Sequence, residues 1–227
     1  MIPWDAADFF YPLLGFVHEE LRHFRMPLWS PYVFAGYPVI ADPEAQIFYP
    51  VNWLMTLARL FHPLSFKLLE IQIVLHYFLA GLSMYWLMKD WTKKQLPALT
   101  AGVIYMFSGP LATHAQHQSI VNALGWWPLV FLFARRALHG RNWRAAGWAG
   151  GAFGMVCLTG HYQHVVYLAL LLFLYFVYEA CFGPDRRVLW PHWMLVLGFI
   201  AVCGAGIAMV QLIPTAELSA ISRSEEH

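Results

Sequence analysis

From residue 66 onward the chain alternates apolar stretches with short polar joints. Six apolar stretches follow one another, roughly 66 to 88, 96 to 113, 121 to 138, 145 to 161, 163 to 182 and 190 to 213. A helix rises about 1.5 Å per residue, so stretches of about 20 residues match a hydrocarbon core of about 30 Å. The fourth is short and glycine-rich, which predicts a tilted or broken span, or tight packing against a neighbour.

The pattern before residue 66 is different. Pro12 suits the first turn of a helix, and Leu13, Phe16, Val17, Leu21 and Phe24 recur at helical spacing behind it. His18, Glu19, Glu20, Arg22 and His23 fill the opposite face, so this is a candidate interfacial helix. Prolines at 27, 31, 38 and 43 and a glycine at 36 then prevent regular structure. Trp29, Tyr32, Phe34 and Tyr37 in this part suit the headgroup level of a membrane. A second short amphipathic helix is predicted after Pro50, through to His62.

Composition agrees with a membrane protein. The chain is 59% apolar and 17% aromatic, with only 12% charged residues, far from the average soluble domain. Its net charge of +1 and lack of a long basic run give no reason to expect a nucleic-acid partner. Cys157, Cys181 and Cys203 lie in or beside apolar runs at wide spacing, which fits small packing residues better than a disulfide or zinc framework.

Charge in the joints orients the spans. Lys89, Lys93 and Lys94 follow the first, Arg135, Arg136, Arg141 and Arg144 the third, and Arg186 and Arg187 the fifth. The joints THAQHQS and GHYQH, after the second and fourth, contain neither lysine nor arginine. The positive-inside rule then puts the basic joints in the cytoplasm. The expected fold is an all-α polytopic transmembrane bundle of the plasma (inner) membrane with about six spans. It divides into an extracytoplasmic loop with interfacial helices over 1–65, a transmembrane region over 66–213 and the start of a further outer loop over 214–227. An outer segment of this length without a preceding apolar span suggests a piece of a larger polytopic protein.

This orientation gathers the candidate chemistry on the outer face. Asp5 and Asp8 stand one turn apart if helix forms locally, so both carboxylates can face one point, as a base or a divalent-cation site requires; they can equally be solvated groups or caps. Asp42 and Glu44 lie near the end of the same segment, and Asp42 before Pro43 also reads as a helix N-cap. His114, Gln116, His117, Gln118, His161, Gln163 and His164 offer hydrogen bonds to sugar hydroxyls, and a protonated histidine can meet a phosphate; interfacial capping is the plainer role for any one of them. His114 and His117 have zinc-like spacing but no visible third ligand. Glu70, His76 and Glu179 fall in or at the ends of spans, where ionisable groups serve function or pair locally.

One resemblance bears on function. Asp5 with six residues between it and Pro12, the run PLWSPYVFAGYPVIADPEAQIFYPVN, and the later SGPLATHAQ, GHYQH and QLIPTAELSAIS are similar to the YfhO-like bacterial membrane proteins. These resemble the GT-C polytopic glycosyltransferases, which use a polyprenyl-phosphate-linked sugar on the extracytoplasmic side. The resemblance implies an acidic residue of the first outer loop, here Asp5 or else Asp8, as base or acceptor-positioning group. It implies substrate contacts from Asp42, His161, Gln163 or His164, and Glu217. Arg22, Arg25, His114 and His117 are further candidates for meeting substrate, the cations by stabilising the leaving lipid phosphate. The expected partners are membrane lipids, a polyprenyl-phosphate sugar donor and a glycan, lipid or protein acceptor. A transporter or flippase of lipid-linked glycans, or a non-enzymatic envelope assembly protein, is the alternative expectation.

Overall fold

The computed structural model describes residues 5–183 and 186–223, without the side chains of residues 186–191, 222 and 223. The expected basic pair Arg186 and Arg187 therefore lies outside the described side chains. Every regular element among the described residues is helical, and one isolated antiparallel bridge joins Ser30 to Tyr37.

The amino-terminal segment opens with a single π-helical turn, Ala6–Phe10, which runs into α1, Tyr11–Arg22. Leu14, Val17, His18 and Leu21 are the buried side of α1, close to the predicted stripe. The helix ends before Phe24, which takes a left-handed φ of 57° and points outward. Two short 3-10 turns, Val39–Ala41 and Pro43–Ala45, precede α2, Pro50–Ala58. Trp53, Leu54, Leu57 and Phe61 form an exposed apolar side along and just beyond α2.

Seven further helices follow: α3, Phe66–Thr92; α4, Gln95–Met106; α5, Gly109–Thr113; α6, Gln118–Gly140; α7, Trp143–Leu158; α8, Tyr162–Phe182; and α9, Arg186–Arg223. Among the described residues four stretches are long and apolar enough to cross a membrane: α3, α4 with α5, α8, and His192–Ile221 of α9. The predicted third and fourth spans differ from these for separate reasons. At 23 residues α6 is long enough, about 34 Å. It carries Gln118, Ser119, Asn122, Arg135 and Arg136 and buries most of its surface against its neighbours, so it is a central helix rather than an apolar one. The 16 residues of α7 reach only about 24 Å.

The glycines of α7 act as predicted for close packing. A Cβ on Gly150 would stand 2.5 Å from Cys203 Cβ, and one on Gly154 would stand 2.8 Å from Ile207 Cβ, both on α9. Small residues four apart let two helix backbones approach, as in membrane helix pairs. Ser83 of α3 donates to the Gly125 carbonyl of α6 at 3.1 Å, and Tyr105 of α4 donates to Leu124 O at 3.0 Å.

The expected end of the last span at 213 is not a helix end. α9 continues through Pro214 to Arg223. Proline leaves one carbonyl in the preceding turn unbonded, but the helix is held on both sides of it. Gln211 donates to Ile40 O at 3.1 Å and Thr215 Oγ1 donates to Ala41 O at 2.9 Å.

The helices share two ends of opposite chemistry. At one, Asp90 of α3 meets Arg135 at 3.3 Å, Arg136 at 3.1 Å and Lys93 at 3.8 Å, and Glu179 meets His139 at 3.4 Å. Glu179 therefore has a local pairing there. At the other end lie the amino-terminal segment and both histidine-glutamine joints.

Candidate functional site

The segment from Ile40 to Tyr49 is anchored from several sides, and this positions its carboxylates. Asp42 caps the turn Pro43–Ala45, its Oδ1 accepting from Glu44 N at 2.8 Å, as its place before a proline suggested. Gly160, between α7 and α8, has φ +85°, and a Cβ there would stand 2.1 Å from Pro43 O. Only glycine allows this approach.

Beneath the turn lies a buried amide network that the sequence reading missed. Gln46 Oε1 accepts from Asn122 Nδ2 at 3.1 Å. Asn52 Nδ2 donates to Gln46 O at 3.0 Å, Gln72 Nε2 donates to Asn52 Oδ1 at 3.1 Å, and Gln118 Nε2 donates to Gln72 Oε1 at 2.7 Å. His76 belongs beside it. Its Nδ1 lies 2.8 Å from Gln72 O, a pure acceptor, so Nδ1 carries the hydrogen. Neutral Nε2 then accepts from Tyr49 OH at 2.6 Å, and the Tyr49 oxygen accepts from Trp126 Nε1 at 2.9 Å. Both nitrogens of His76 are thus occupied, and through Tyr49 the segment is tied to His76 of α3 and Trp126 of α6. The available signal was the presence of glutamine, asparagine and histidine within or beside apolar runs, where a polar group needs a partner.

Asp5 and Asp8 have different recorded neighbours: Asp5 Oδ2 lies 3.1 Å from His117 Nε2, while Asp8 lines a cavity with Glu44, on which the Asp5 charge also acts. No group of three or more histidine, cysteine, aspartate or glutamate side chains is placed to hold one metal ion among the described residues.

That cavity has a volume of about 670 Å³ and lies between α1 and the proline-rich loop. Asp8, Asp42 and Glu44 line it together with Glu19 and Glu20, and Phe9, Phe16, Tyr32, Phe34 and Tyr37 supply aromatic walls. Arg22 and Arg25 do not line it. They make bidentate pairs instead, Arg22 with Glu19 at 2.7 Å for both bonds and Arg25 with Glu20 at 2.8 and 2.9 Å. Hydrogen bonds from Arg22 hold the Glu19 carboxyl below its ordinary value, and those from Arg25 do the same for Glu20.

Asp42 and Glu44 shift the other way. Burial raises both, and Glu44 is raised further by the Asp42 and Asp5 charges. Tyr37, beside Asp42, is pushed up to about 12 by burial first and then by that carboxylate.

The two joints carry the same tetrad, His-x-Gln-His, and the same contact. His114 Nδ1 lies 3.1 Å from His117 Nδ1, and His161 Nδ1 lies 2.9 Å from His164 Nδ1. Two ring nitrogens in contact need one donor and one acceptor, so neither pair keeps its contact when both rings are charged. His117 Nε2 lies within ion-pair distance of Asp5, so His114, His117 and Asp5 follow one another in contact. The joints are close enough that, after burial, His117 and His114 help to hold the His161 imidazole below its ordinary value.

Two expected contributors stand apart from these contacts. Gln163 is exposed and donates to Tyr167 OH. Glu217 is exposed on α9, beyond the Thr215 anchor. The geometry thus brings Asp5 to the histidines, and Asp8 to Asp42 and Glu44. Compared with family models, curated proteins and solved structures, the chain matches none of them.

Proposed function

We propose that the chain carries the site of a membrane glycosyltransferase of the GT-C kind, related to the YfhO-like proteins. It takes a sugar from a polyprenyl-phosphate donor on the extracytoplasmic face. The observation that carries this reading is the shared cavity of Asp8, Asp42 and Glu44, beside the Asp5–His117 pair and at the end of the bundle opposite the Asp90–arginine cluster. The positive-inside rule assigns the basic end to the cytoplasm and so this cavity to the outside.

In this reading Asp8 accepts the proton of the acceptor hydroxyl. The freed oxygen bonds to the anomeric carbon as the bond from that carbon to the lipid phosphate oxygen breaks. The polyprenyl phosphate leaves with the bonding electrons, and the histidine joints, which lie outside the carboxylate-lined cavity, face its charge. Asp5 orients His117 rather than acting as the base.

The test is to supply the full chain, in nanodiscs, with labelled polyprenyl-phosphate sugars and membrane acceptors. Asp8→Asn keeps size and hydrogen bonding but removes the base, so transfer should fall by roughly two to four orders of magnitude while donor binding is retained. Absence of transfer from every donor tried would reject the reading. Unchanged transfer by both Asp8→Asn and Asp5→Asn would reject the assigned chemistry. Movement of an intact lipid-linked glycan across the bilayer would favour a flippase.

A further inference from the structure

The charge and wall chemistry of the cavity narrow its ligand. Among the described residues five carboxylates line it, and no lysine, arginine or histidine does so. Arg22 and Arg25 answer Glu19 and Glu20 from outside, which leaves Asp8, Asp42 and Glu44 as net negative charge facing the space. Such a lining repels a phosphate, so the anionic part of a lipid donor is excluded from it.

A metal ion is equally unsuited to the space. A bound cation of that kind needs several oxygens at about 2.0 to 2.6 Å from one point, and no such convergence occurs among the described residues. The carboxylates instead stand around a volume of about 670 Å³, which suits a sugar-sized or headgroup-sized molecule.

The aromatic walls are a second and separate observation. Phe9, Phe16, Tyr32, Phe34 and Tyr37 come from two different parts of the chain and meet around the same space. Ring faces attract organic cations, most strongly where water is displaced. Tyr32 and Phe34 are 83% and 88% exposed although both line the cavity, so much of their ring surface is uncovered.

We propose that this cavity binds a primary ammonium carried on a sugar-sized polar group, the chemistry shared by an amino sugar and an ethanolamine headgroup. The ammonium pairs with Glu44 in the negative field of Asp8 and Asp42, with aromatic rings against its remaining face. Burial, and after it the Asp42 and Asp5 charges, raise Glu44, and an arriving cation relieves the part due to charge. Affinity should therefore increase as pH rises through the carboxyl range and fall again where the amine itself loses its proton. Calling the ligand the acceptor of the reaction rests on the transferase reading above; its binding as an ammonium does not.

Glucosamine and glucose test the point, because they differ only by an ammonium in place of one hydroxyl. With the full chain in phosphatidylglycerol nanodiscs, calorimetric titration should show glucosamine binding at least about tenfold tighter than glucose, the difference worth about 1.4 kcal/mol. Glu44→Gln, an isosteric change, should remove most of that preference and leave glucose unaffected. Phe34→Leu, at an exposed ring, should weaken glucosamine several-fold without loss of folding. Nanodiscs of phosphatidylethanolamine separate the sources: competition with glucosamine assigns the ammonium to a lipid headgroup, and undiminished binding assigns it to a sugar or other free amine. Equal affinity for the two sugars, no binding of glucosamine, or an unchanged preference in Glu44→Gln would overturn the proposal. Retained glucosamine preference in a protein that transfers no sugar would leave the cavity assignment standing and remove only the transferase.

Discussion

At Glu44, burial and the Asp42 and Asp5 carboxylates hold the acid above its ordinary value, so the folded chain holds this proton more tightly than the unfolded chain does. Stability from such a group is greatest below the ordinary carboxylate range and declines as pH rises towards the raised folded value. Glu44→Gln should therefore raise the melting temperature at neutral pH, with the gain shrinking to nothing in thermal scans at acidic pH. A variant that is less stable than the parent at neutral pH would show that the charge at Glu44 is compensated in the fold. At this scale the sequence was informative where one local rule decides the outcome. Asp42 before Pro43 read as a cap and is one. The spacing rule for Asp5 and Asp8 assumes an α-helical turn, whereas Ala6–Phe10 is a π turn, and the recorded neighbours of the two carboxylates are His117 for Asp5 and the cavity for Asp8. The amide network of Gln46, Asn52, Gln72, Gln118 and Asn122 was hidden for another reason. Its side chain to side chain pairs span 20 to 76 residues of sequence, and no periodicity records which polar side chains will meet.

Among the elements, α1 was legible because its apolar stripe and Pro12 act within one helix. The close packing of α7 was legible too, because glycines mark where another backbone can approach. What periodicity could not separate was a helix buried by other helices from a helix facing lipid, because both carry long apolar runs. That is why α6 resembled an ordinary span although it sits at the centre of the bundle and carries the polar residues that hold the loop. The join between α7 and α8 makes a further test possible. At Gly160 an alanine would need a left-handed backbone, costing about 1 to 3 kcal/mol, and its Cβ would collide with Pro43 O at 2.1 Å. Gly160→Ala should lower the melting temperature by several degrees and weaken glucosamine binding, because the turn carrying Asp42 and Glu44 must move. Unchanged stability and unchanged binding would mean that this contact does not position the cavity.

Across the whole molecule, chemistry is sorted between two ends. Asp90, Arg135, Arg136 and Lys93 meet at one, and Asp5, Asp42, Glu44 and the paired histidines gather at the other. The four membrane-length helical stretches lie between them. A site for lipid-linked sugars at the outer surface requires that the bilayer separate these ends in the stated sense, and thiol labelling reads this directly. After replacement of the exposed Cys181 and the partly exposed Cys203, single cysteines at Gln116, Gln163, Lys93 and Arg141 would be treated with a membrane-impermeant maleimide in intact cells. Gln116→Cys and Gln163→Cys should label without lysis, while Lys93→Cys and Arg141→Cys should label only after the membrane is opened. Labelling of Arg141→Cys in intact cells, with Gln116→Cys protected until lysis, would place the carboxylates and histidines in the cytoplasm and contradict an outward-facing site.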